Sequence, residues 1–245
     1  VSGKNGANSL AQTVCAKFSE CEMAEYGPDS MVVHRLGMET SGLIIFAKTK
    51  PAVRGMNTVF RTRKIQRTYE ALVCGHVQND RGMIDLPLMR DYEHPPFVRI
   101  STEERQEALI GLDPDEVGKK LLELPKQSLT KYRVIAREEL DGQPVTRVAL
   151  TSVSGRTHQL NCHWAAFGHP IVGDTTYGIH GDAVPSGGLS DDELEYLDPN
   201  PARASPELQE GLNKASSTVC CHAKSLQFRH PVTKQQIALS SSAPF

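Results

Sequence analysis

Strand-sized apolar runs outnumber helical patterns in this chain and do not alternate with them. That order favours an α+β fold with a mostly antiparallel sheet over a doubly wound parallel one. Residues 67–77 alternate through Tyr69, Ala71 and Val73 and stop at Gly75, the period-2 signature of a strand. Residues 129–137 and 145–153 read as a strand pair joined through Asp141-Gly142, a favoured hairpin dipeptide. Residues 223–229 and 236–240 are two further strands on either side of Pro231. Met31-Val32-Val33 and the run 43–47 flank a polar stretch and predict strand, tight turn, strand. Helical spacing is confined to three places. In 7–18, Leu10, Val14 and Phe18 recur every four positions; in 51–62, Val53, Met56, Val59 and Phe60 share a face behind Pro51. Residues 155–168 read as a turn and then a helix, with Leu160 and Trp164 one turn apart.

The chain has 245 residues, and one domain over 1–245 is expected, with 102–124 and 179–215 as insertions. The first is acidic and suits a surface helix; the second, rich in Gly, Pro, Ser and Asp, reads as a long surface excursion with short helical pieces. With 39% hydrophobic and 23% charged residues the composition is that of a soluble globular protein. A run of ~18 apolar residues, the length a membrane helix needs, does not occur. Net charge is −2, but the basic residues are uneven: Lys48, Lys50, Arg54, Arg61, Arg63, Lys64 and Arg67 fall together, so one face can be basic. Six scattered cysteines lack the spacing of a disulfide scaffold and fit a reducing cytoplasmic or organellar interior. The chain opens on Val1 without a signal pattern, which suggests that it begins inside a longer protein.

Three polar segments interrupt the apolar runs. His34-Arg35-Leu36-Gly37-Met38-Glu39-Thr40-Ser41-Gly42-Leu43 packs charge, hydroxyls and glycines into a turn, where binding groups often sit; an ordinary polar hairpin reads equally well. Arg67-Thr68-Tyr69-Glu70-Ala71 holds an aromatic that either packs in a strand or stacks on a nucleobase. Ser154-Gly155-Arg156-Thr157-His158-Gln159-Leu160-Asn161 sets an arginine at a helix start, where partial positive charge already gathers. An anion nearby would explain it, as would simple solvent exposure.

Taken together the segments resemble the RluA family of pseudouridine synthases. That family's first motif runs His-Arg-Leu-Asp, two variable residues, Thr-Ser-Gly-Leu, and appears at 34–43 with Gly37 in place of the aspartate. Its Tyr-x-Ala is matched by Tyr69 and Ala71, and its Gly-Arg-Thr-His-Gln-Leu-Arg by 155–160, with Asn161 replacing the final arginine. Residues 168–174, Tyr177-Gly178 and His222-Ala223 agree as well. The family's usual first strand, upstream of the helix at 7–18, has no counterpart.

The resemblance implies a long, mostly antiparallel mixed sheet in two halves, with a central catalytic cleft where the three segments converge. It implies isomerisation of uridine to pseudouridine in a ribosomal or transfer RNA stem-loop, with the base extruded from its stack. No cofactor, metal or membrane is implied, and a monomer is expected. The family's aspartate starts the chemistry, by attack on the ribose or abstraction of a ribose proton, and uracil rejoins through C5. By position Arg35 fills the gap left by the extruded base, Tyr69 stacks on uracil, Arg156 pairs with the carboxylate, and Leu160 lines the base pocket. His34, Leu36, Thr40 and His158 complete the expected substrate contacts. Asn161 removes one positive charge from the expected RNA side.

Gly37 has no side chain to attack or accept a proton, and losing such a group costs on the order of 10⁴ in rate. A catalytically silent RNA-binding protein on the same scaffold is therefore the rival reading, and an unrelated binding module the third. Asp and Gly codons differ by one base. Glu39, two residues on and ~6–7 Å away in extended chain, is too far to substitute. His158, Cys162, His163, Cys220, Cys221 and His222 lack paired zinc-ligand spacing.

Overall fold

The computed structural model describes residues 9–37, 39–113, 115, 118, 122–197, 203–216 and 218–245. The chain divides into two compact units, Val1–Thr68 with Ala223–Pro244, and Tyr69–His222 with Phe245. The described elements form an α+β fold whose strand pairs are antiparallel.

In the first unit, helix α1 (Leu10–Lys17) begins at a capping box: Ser9 Oγ accepts from the Gln12 N–H at 3.2 Å, and Gln12 Oε1 accepts from the Ser9 N–H at 2.6 Å. Helix α2 (Lys50–Arg61) is capped by Thr49 and carries Pro51 in its first turn. Its expected apolar face forms: Met56 is buried, and Val53, Val59 and Phe60 pack onto a core of Val33, Ala47, Ile65, Leu226 and Phe228. The strand–turn–strand expected around 34–42 is largely absent. Val32 and Phe46 make a single antiparallel bridge, and strand β1 is only Ser41–Gly42. The cause is local: the Ile45 N–H goes to His34 Nε2 at 2.8 Å instead of a facing carbonyl. Gly42 (φ 111°) presses against another backbone, where a Cβ would lie 2.5 Å from the Ala223 carbonyl oxygen, so only glycine fits. Two further strands, residues Cys221–Arg229 and Gln236–Ser240, pair with Ser225 opposite Ser240; they are β8 and β9 below.

The second unit is built on four strands, β2 (Ile65–Cys74), β3 (Arg81–Asp85), β6 (Leu129–Leu140) and β7 (Gln143–Ser152). From Tyr69 onward β2 pairs with β7, β7 with β6, and β6 with β3. Asp141 (φ 50°) and Gly142 (φ 73°) make the expected left-handed turn between β6 and β7. Strands β4 (Leu88–Arg90) and β5 (Val98–Ile100) form a separate pair. Helix α3 (Glu103–Ile110) buries no residue, as its acidic sequence suggested; positions 114, 116, 117 and 119–121 of that insertion lie outside the described residues.

Helix α4 (Gln159–Ala166) is buried on opposite sides. Leu160 and Trp164 join a core with Ala71, Val73, Val148 and Leu150, while Cys162 and Ala165 join one with Leu88, Ile100 and Tyr177. The segment 179–215 is not simply a surface excursion. It contains α5 (Asp191–Leu197) and α6 (Pro206–Ala215). Val184 and Leu189 enter the second core, and Ala204 and Leu212 enter a third with Leu72, Val145 and Val172. Leu208 and Leu212 show helical spacing; Val184, Leu189 and Ala204 are scattered, and their burial left no periodic sign. All six cysteines are free thiols. Among the described residues no helix is long and apolar enough to cross a membrane.

Candidate active site

The first polar segment belongs to the first unit. Its turn is closed by the Thr40 N–H donating to the Gly37 carbonyl at 3.2 Å, with Glu39 in the left-handed region at φ 62°. Gly37, Arg35 and Glu39 are exposed; Leu36 and Thr40 are half-buried. His34 is the residue that fixes this loop. Its Nε2 accepts the Ile45 N–H, and its ring stacks on Phe60 with centroids 4.7 Å apart. The accepting Nε2 puts the proton of the neutral ring on Nδ1, an atom left without a hydrogen-bond partner. Burial, then the nearby Arg67 guanidinium, pull the pKa down to about 4. The neutral histidine thus anchors the backbone of its own loop.

Tyr69 is half-buried in β2, opposite Leu150, and packs against the core that contains Leu160. Tyr69 and Leu160 are thus brought to one cluster, as a base pocket would require. The Gly155-Arg156 loop is pinned by a residue that sequence reasoning passed over. Gln159 is buried, and its Oε1 accepts from Ser154 Oγ at 2.7 Å and from the Arg156 N–H at 3.0 Å. Its Nε2 donates to the Leu129 carbonyl and to Thr130 Oγ1, each at 2.9 Å. All four of its side-chain hydrogen-bonding positions are used, so the backbone at Arg156 stands on a rigid mount. Arg156 Nε is buried without a partner, and the side chain lines a cavity of about 260 Å³ with Leu88, Arg90, Val98, Glu123 and Lys126.

His158 sits at the left-handed cap of α4 (φ 49°). Its Nδ1 lies 2.9 Å from Tyr177 Oη, which also accepts the Val98 N–H at 3.3 Å. The tyrosine hydroxyl can donate to Nδ1, the arrangement that leaves the proton of the neutral ring on Nε2. Burial lowers the His158 pKa, opposed by the charge of Asp174.

Asn161 is half-buried and bonds inward. Its Nδ2 donates to Asp174 Oδ2 at 2.8 Å, and Asp174 Oδ1 accepts from the Thr176 and Tyr177 N–H groups at 2.9 and 3.0 Å. This carboxyl is 2% exposed and meets a neutral amide, so burial drives its pKa up against those hydrogen bonds. The asparagine at 161 thus serves a buried carboxyl. The residue type alone did not announce this pairing; a Gly-Asp pair within an apolar stretch, Ile171-Val172-Gly173-Asp174, was the available signal.

Among the described residues the ligand-type atoms that gather within 4.8 Å are those of Asp91, Glu93 and His94, not the histidine–cysteine set weighed from sequence. Asp91 already accepts the Glu93 and His94 N–H groups and faces Arg99 at 3.6 Å, which is ordinary turn chemistry.

Residues 22–166 match the family model described as RNA pseudouridylate synthase, a stretch that spans all three motifs. The dual-specificity RNA pseudouridine synthase RluA of Pasteurella multocida is 34% identical over 238 residues, 97% of this chain and 80% of that protein. Its namesake in Haemophilus influenzae is 32% identical over the same shares. Among solved structures, human RNA Pseudouridylate Synthase Domain Containing 1 aligns with a TM-score of 0.65 at 24% identity, covering 97% of this chain and 75% of that one, a likeness of fold. The motif residues, the strand order and the extent of these matches agree, and the chain belongs to the RNA pseudouridylate synthase family.

Proposed function

We propose that this protein is an RNA pseudouridine synthase that acts on a uridine in a ribosomal or transfer RNA stem-loop, as a monomer in the cytoplasm. One catalytic domain over the whole chain carries the activity. Its target base is extruded from the stack, Tyr69 stacks on the uracil, Leu160 lines the pocket and Arg35 fills the gap. Arg156 supplies the positive charge that pairs with the family's carboxylate, whose position Gly37 occupies in this chain. His158, oriented by Tyr177, presents Nε2–H as a donor, and His34 holds the 34–43 loop through Ile45. The observation that carries this reading is the Arg156 mount: a buried, fully engaged glutamine holds the Arg156 backbone N–H, and the Nε of that arginine is buried without a protein partner.

One observation favours a second reading. Gly37 stands where the family's carboxylate belongs, and a chain with glycine there holds the base without the group that starts the reaction. The same scaffold then binds RNA and leaves it unmodified. Incubation of the protein with an RNA stem-loop labelled with tritium at uridine C5 decides between them. Tritium release establishes synthase activity in the Gly37 chain. Binding without release establishes the silent form. An RNA that neither binds nor reacts removes both.

A further inference from the structure

Formal charge is split sharply between the two units. The first carries 13 Lys and Arg against 5 Asp and Glu, a net +8; the second carries 14 against 24, a net −10. No acidic residue occurs between Thr40 and Tyr69, a stretch with seven basic ones. Three of those seven are engaged: Lys48 lies over the Phe18 ring, Lys50 pairs with Glu22, and Arg67 lies over Phe60. The other four, Arg54, Arg61, Arg63 and Lys64, are exposed. Among the described residues none of their side chains has a carboxylate within ion-pair distance.

The fold gathers these cations with others. Arg54 and Arg61 stand two turns apart on the solvent face of α2, opposite Met56. Gly55 brings α2 against the turn between β8 and β9 so closely that a Cβ would lie 2.3 Å from Pro231 Cβ. That contact sets Arg54 beside a turn bearing Arg229 and Lys234, both exposed. The apolar side of α2 is spent on the core, so the outer face has charge without the apolar anchors a membrane-surface helix uses. We infer that this face of the first unit, α2 with the 61–64 loop and the β8–β9 turn, is the phosphate-binding surface for the RNA strand beyond the target uridine. The inference rests on the proposed RNA substrate. Contacts of this kind carry no sequence information; they hold the RNA in register and release counterions on binding.

The test compares two triple variants that remove equal charge from exposed side chains. Arg54→Gln/Arg61→Gln/Arg63→Gln lies in the first unit and Arg81→Gln/Lys131→Gln/Arg133→Gln in the second. A fluorescent uridine-containing RNA stem-loop is titrated with the full chain across potassium chloride concentrations, and thermal melts confirm folding. The first triple is expected to weaken binding ~10-fold or more and to flatten the slope of log affinity against log salt by about 2–3, from ~0.7–0.9 per phosphate contact. The second should leave both unchanged. An unchanged slope in the first triple, or equal losses in both, overturns the surface while the RNA reading stands. Capture of anionic vesicles in place of the stem-loop overturns it too. An unaltered chain that binds no stem-loop at any salt overturns the surface and the function together.

Discussion

A side chain at position 37 meets little resistance. Its Cβ would lie 3.1 Å from Thr40 Oγ1, a rotatable hydroxyl, and the backbone is not left-handed there. Position 37 also opens a turn closed by the Thr40 N–H, a place that favours aspartate. Gly37→Asp should therefore fold with a melting point close to that of the unaltered chain. Asp174 gives a pH prediction. Its folded pKa is raised by burial, so the native state keeps the proton that the unfolded chain gives up near pH ~3.9. Stability is favoured below that value and is lost as pH rises through the folded pKa. Asp174→Asn removes this dependence, and urea unfolding should show the variant gaining on the parent as pH climbs above about 4. Parallel curves would mean that Asp174 is ionised in both states. His34 works in the opposite sense: with a folded pKa near 4 it costs stability as pH falls from ~6.5. His34→Gln should flatten the loss between those values.

Element by element, what could be read from the sequence depended on periodicity. Helix α2 and strands β2, β6 and β7 showed regular spacing and lie where that spacing put them. The segment 34–46 did not follow its pattern, because a histidine side chain took the hydrogen bond of a ladder partner. The burial within 179–215 and the Asn161–Asp174 pair were hidden for a different reason, since contacts between residues distant in sequence leave no local trace. The motif residues were readable as types, and Gln159 escaped attention because its role is entirely in its partners. Two variants test this scale. Gln159→Leu orphans the Ser154 hydroxyl and the Arg156 N–H, each at ~1–3 kcal/mol, and should lower unfolding free energy by about that much or more. Gly55→Ala sets helix propensity against packing. Alanine is the better helix former by ~1 kcal/mol, yet a Cβ there would overlap Pro231, and overpacking costs ~1–3 kcal/mol. Net destabilisation in urea is expected; stabilisation would show that α2 and the turn are not in contact.

On the scale of the whole molecule, a basic unit and an acidic unit share one chain, and the family's chemistry asks for one carboxylate that the sequence lacks. The central claim is that position 37 is where that carboxylate acts on uridine. The most direct test is tritium release from C5-labelled uridine RNA under single turnover, comparing the Gly37 chain with its Gly37→Asp and Gly37→Asn forms. Asparagine matches aspartate in shape and lacks its charge. The account predicts release by the aspartate form on the order of 10⁴ faster than by either of the others. Equal rates for aspartate and asparagine, or no release from the aspartate form while it still binds the RNA, would contradict it.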